Sequence, residues 1–85
     1  MSDQRASVEV SLYPLQTDYK PAIRDFIARV QKVDGIDVLP NDLSTQLFGD
    51  FALLMQTLER ELARSWSEHG KGVFVVKFIP GDVRG

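Results

Sequence analysis

Residues 7–15 alternate between apolar and polar side chains, with Val8, Val10 and Leu12 on one side and Ser7, Glu9, Ser11 and Tyr13 on the other. That period of two predicts a half-buried strand, ended by Pro14. The period then changes. Ala22, Ile23, Phe26, Ile27, Val30 and Val33 recur at helical spacing, with Lys20, Arg24, Asp25 and Arg29 on other faces. Thr17 or Asp18 is the expected N-cap, Pro21 falls in the tolerated first turn, and Asp34-Gly35 supplies the left-handed closure. A short strand at 36–39 and a second at 43–48 flank Pro40-Asn41-Asp42, which is turn chemistry and predicts a hairpin.

Gly49-Asp50 ends the third strand and caps a second helix, in which Phe51, Leu54, Met55, Leu58, Leu62 and Trp66 form the expected apolar stripe before Gly70 stops it. The run Val73-Phe74-Val75-Val76-Lys77-Phe78-Ile79 is apolar on both faces and ends at Pro80-Gly81, a fourth strand. The order is therefore β-α-β-β-α-β. Right-handed crossovers turn that order into a four-stranded antiparallel sheet with both helices on one face, the ferredoxin-like α+β sandwich. A single domain over residues 1–85 is expected, ordered from about 7 to 80, with the first five or six residues and the last four, 82–85, fraying.

The alternation assigns faces as well as elements. Val8, Val10, Leu12, Leu43, Thr45, Leu47, Phe74, Val76 and Phe78 are expected to meet the helices. The other face carries Glu9, Ser11, Tyr13, Ser44, Gln46, Phe48, Val73, Val75 and Lys77. Being half apolar, it predicts sheet-to-sheet self-association, either as a plain subunit interface or with a ligand enclosed beside it. Glu9 and Lys77 are expected to pair across neighbouring strands.

Composition narrows the chemistry. The formal charge is −2, from 10 Lys/Arg against 12 Asp/Glu interspersed along the chain, so no phosphate-backbone partner is indicated. An RNA-binding sheet of the same element order needs basic residues on its central strands, which residues 43–48 lack. Absence of cysteine removes disulfides and thiolate metal sites and suits a reducing, cytoplasmic setting. Neither a secretion signal nor a membrane-length apolar run is read at the N-terminus or elsewhere.

Catalysis is not expected. His69 is the single histidine, placed at the end of the second helix where it complements the helix dipole, and the acidic residues show no metal-ligand spacing. The loop Leu15-Gln16-Thr17-Asp18 has neither the glycine nor the arginine of a phosphate-cradling loop. No cofactor is expected.

The segments Val8-Glu9-Val10-Ser11-Leu12-Tyr13-Pro14-Leu15 and Ser44-Thr45-Gln46-Leu47-Phe48-Gly49-Asp50, with the element order around them, resemble the YkoF-like thiamin/hydroxymethylpyrimidine-binding family and its small single-domain members. The resemblance runs from about residue 7 to residue 80. It implies non-catalytic binding of thiamin or its pyrimidine part by ferredoxin-like domains, here assembled as a homodimer or homotetramer. An aminopyrimidine needs a few paired polar groups and a flat apolar wall. Glu9, Ser11, Ser44 and Gln46 supply the first and Tyr13 and Phe48 the second, with Thr45 a further candidate on the helix side. Asn41 and Asp42 are read as turn formers first, with ligand contact the lesser alternative. The rival expectation is an interaction or regulatory module whose open sheet face serves oligomerisation alone.

Overall fold

The computed structural model describes residues 4–85. Its elements are β1 (Arg5–Pro14), α1 (Lys20–Val30), β2 (Asp37–Pro40), β3 (Thr45–Asp50), α2 (Phe51–His69) and β4 (Gly72–Pro80). The strands form one antiparallel sheet in the order β2-β3-β1-β4, the ferredoxin-like arrangement expected from the sequence.

The helix-facing side of the sheet is built as the alternation predicts. Val8, Val10 and Leu47 are buried with Phe26 and Val30 of α1 and Leu54 and Leu58 of α2, and Leu12, Phe74 and Val76 pack against that cluster. Removing a side chain such as Leu47 fully from water contributes roughly 1.5–3 kcal/mol. Phe74 ties the two layers together, its ring 5.5 Å from that of Phe26 and 5.9 Å from that of Trp66. Phe78 meets Phe51 edge-on at 6.0 Å.

Several local expectations are corrected. Strand β1 starts at Arg5, two residues early, because Ala6 is buried in the core and Arg5 pairs with Asp50. The N-cap of α1 is Tyr19, not Thr17 or Asp18, and no side chain bonds the first turn. Strand β3 starts at Thr45 because the Asn41 side-chain oxygen accepts hydrogen bonds from the Leu43 and Ser44 N–H groups, winding those residues into the turn. Leu43 therefore points to solvent, 87% exposed, instead of meeting the helices. Asp50 does cap α2, accepting from the Leu53 N–H at 3.2 Å. Gly49 fits beside the α1–β2 connection, since a Cβ there would stand 2.7 Å from the Gly35 carbonyl oxygen.

Helix α2 buries Leu54 and Leu58 of its expected apolar stripe, with Leu62 packed against the core, and adds a polar row that the spacing does not suggest. Thr57, Glu61 and Ser65 are buried, whereas Phe51, Met55 and Trp66 remain partly exposed. The cause is α1: Glu61 forms an ion pair with Arg29 of that helix, and Arg60 donates at 3.0 Å to its other oxygen.

The last residues, expected to fray, make contacts with the sheet. Ser7 Oγ donates to the Gly81 carbonyl at 2.8 Å and accepts from the Val83 N–H at 3.0 Å, turning segment 81–85 back over the open face of the sheet. No helix among the described residues is long and apolar enough to cross a membrane.

A candidate ligand cleft beside the open edge of strand one

The pairing of β1 is unequal on its two sides. Against β4 it runs from Ala6↔Pro80 to Pro14↔Gly72, but against β3 it stops at Val10↔Thr45. Ser11 to Pro14 therefore lie beyond the ladder on one side, next to the hairpin turn at 41–44. A cleft of about 620 Å³ occupies this gap, closed on its third side by Tyr19, Ile23, Phe26 and Ile27 from the start of α1. That size falls in the roughly 300–1,000 Å³ range of small-molecule sites.

Five of the seven candidates from the sequence line this cleft: Glu9, Ser11, Tyr13, Ser44 and Thr45. Each owes its position to a strand. Glu9, Ser11 and Tyr13 share one side of β1, Thr45 projects inward from the first residue of β3, and Ser44 stands in the turn before it. Thr45 is buried and Tyr13 is 55% exposed, so the cleft runs from the edge of the core to solvent. Tyr19, 49% exposed, provides a second aromatic wall that the sequence reading did not select; its position just ahead of an amphipathic helix was the available signal. Asn41 and Asp42, read first as turn formers, line the cleft too.

The polar groups are held in a chain. Asn41 Nδ2 lies 3.5 Å from Ser44 Oγ, which donates to Glu9 Oε2 at 3.0 Å, and the Lys77 ammonium stands 3.5 Å from Glu9 Oε1. The expected Glu9–Lys77 pair is therefore present, and Glu9 has a place in the cleft as well. Ser11 Oγ donates to the Leu43 carbonyl at 3.4 Å. An acidic group, hydroxyls and an amide thus line the same cleft as Tyr13 and Tyr19, a combination suited to a flat, hydrogen-bonding ligand.

Gln46 and Phe48 fall elsewhere. With Ser7, Glu9, Lys77, Ile79 and Val83 they line a groove of about 160 Å³ on the open face, which shares Glu9 with the cleft. Phe48 is only 2% exposed because segment 81–85 crosses it. The Arg84 guanidinium lies over its ring and also bonds Asp82 and Asp37. Phe48 is therefore not a free aromatic surface. The exposed apolar side chains on this face include Tyr13, Val73 and Val75, with Ile79 beside the groove.

The acidic residues do converge with the histidine in one place that sequence spacing did not reveal. His69 Nε2 lies 3.1 Å from Asp25 Oδ2, with Glu68 close by; the candidate ligand atoms of all three fall within 4.8 Å of one another. Arg64 also holds Glu68 at 3.0 Å, so the group is a polar network joining the end of α2 to α1.

No family model and no curated protein matches the chain. Solved structures do. A Streptococcus pneumoniae protein is 24% identical and superposes with a TM-score of 0.84, over 94% of this chain and 90% of its own. A Thermotoga maritima protein, named for a proposed role in thiamine biosynthesis or salvage, gives 0.81 at 14% identity, over 95% and 87%. A domain of unknown function, DUF77, from Bacillus cereus gives 0.75 at 18% identity, over 89% and 75%. At these identities the likeness establishes that the chain shares the fold of these three proteins.

Proposed function

We propose that this domain binds thiamin or a related hydroxymethylpyrimidine-type heterocycle, without chemically changing it, in the cleft beside β1. The observation that carries this reading is the convergence of Glu9, Ser11, Tyr13, Ser44 and Thr45 on one cleft of suitable size. The similarity in fold to the Thermotoga maritima protein supports it. Binding is by enclosure: the tyrosine rings flank the flat ligand while the hydroxyls, Asn41 and the carboxylates pair with its ring nitrogens and amine. No covalent step is required.

The assembly we propose is a homo-oligomer joined through the uncovered half of the sheet face, where Tyr13, Val73 and Val75 are exposed. Tyr13 belongs to both that patch and the cleft, so association would steady one wall of the site. The same patch is what favours the rival reading, an interaction module without a ligand. Isothermal titration calorimetry with thiamin and with hydroxymethylpyrimidine separates the two. The binding reading predicts saturable heat with a defined number of sites per subunit; a well-folded oligomer that gives neither heat nor a thermal shift supports the rival.

A further inference from the structure

We infer that the cleft takes its ligand as the free cation and discriminates against phosphate esters of the same molecule, an inference that rests on the binding role proposed above. Two carboxylates, Glu9 and Asp42, line the cleft, and no Lys, Arg or His is among its lining residues. Glu9 is held by its side-chain bonds, and Asp42 is carried on an ordered turn. Ser44 Oγ donates to Glu9 at 3.0 Å, and the turn that carries Asp42 is wound around the Asn41 side chain, which accepts from two successive backbone N–H groups.

Positive contributions oppose the acids, one of them Lys20, the first residue of α1 and next in sequence to Tyr19. The Lys77 ammonium approaches Glu9 to 3.5 Å from outside the lining, and the start of α1, with Tyr19 at its N-cap, presents the positive end of a helix dipole. Lys77 offsets Glu9 in part. Asp42 has no ion-pair partner among the described residues, so its charge stays uncompensated. Pro21 removes one backbone donor from the first turn of α1, which makes that turn a poorer cradle for an anion. A flat cation gains from both carboxylates and from the tyrosine faces. A phosphate ester brings about 1.5–2 negative charges into the same field.

The test is calorimetric titration of the intact protein with thiamin and with thiamin monophosphate, at low and at high salt, repeated on Glu9→Gln and Asp42→Asn. Circular dichroism melts of each variant confirm folding. The expected result is that the monophosphate binds on the order of ten-fold more weakly than thiamin at low salt. That gap should narrow in high salt and in each variant. A monophosphate that binds as tightly as thiamin, or a gap untouched by salt and by both substitutions, overturns the inference while leaving the binding role standing. No binding of thiamin, its monophosphate or hydroxymethylpyrimidine overturns the binding role and this inference with it.

Discussion

The central guanidinium carbon of Arg84 sits 4.0 Å from the centroid of the Phe48 ring, roofing an aromatic that strand alternation places on the open face of the sheet. Replacing Arg84 with Ala should expose the ring, lower the thermal midpoint and speed hydrogen exchange at the Val83 N–H. Phe48→Ala removes the buried ring itself and should destabilise the domain by about 3 kcal/mol, measured by urea denaturation.

Asp82 makes the same contact pH-dependent. Hydrogen bonds from the Arg84 side chain, and secondarily from its backbone N–H, hold the Asp82 carboxyl down at about 2, below its ordinary 3.8. A pKa depressed on folding stabilises the docked segment above the ordinary value, and that contribution is lost as pH falls from about 4 through 2. The amide resonance of Val83 should move towards its undocked position over that window. Asp82→Asn should abolish that transition.

Among the described residues, Thr57 carries a buried hydroxyl without a hydrogen-bond partner, in the row of α2 that also contains Glu61. A buried polar atom left unpaired costs about 1–3 kcal/mol. Thr57→Val keeps the shape and removes the hydroxyl, so chemical denaturation should show a gain of about 1 kcal/mol.

Ser44 and Gln46 separate the cleft from the open face. Ser44 lines the cleft and donates to Glu9, while Gln46 lies in the groove beside Phe48. Ser44→Ala should weaken thiamin binding several-fold and Gln46→Ala should leave it within two-fold, by calorimetry on the same oligomer. These fold-changes correspond to roughly 1 kcal/mol or less, the net value of one hydrogen bond.

Much of this architecture is written locally. The period-two run through Val8, Val10 and Leu12, the Asn41 turn and the Asp50 cap each act within a few residues. Element order and the inward face of the sheet therefore follow from the sequence. Part of the cleft lining follows the same local rule, since Glu9, Ser11 and Tyr13 are spaced by the strand that carries them.

What was not legible depends on partners distant in sequence. Phe48 is covered because Ser7 bonds Gly81 and Val83, a pairing between opposite ends of the chain with no local signature. The burial of Glu61 needs Arg29 on the other helix, so apolar periodicity pointed to Phe51 and Met55 instead. Tyr19 joins the site only once α1 crosses the sheet beside the place where β3 stops.

The most direct measurement is a thiamin titration of the isotope-labelled protein followed by amide and side-chain chemical shifts. Saturable shifts concentrated at Ser11, Tyr13, Tyr19, Asn41, Ser44 and Thr45, with Phe48 and Val83 undisturbed, are the predicted result. Shifts centred on Ser7, Gln46 and Phe48, or none at any attainable concentration, would contradict a ligand site in the cleft beside β1.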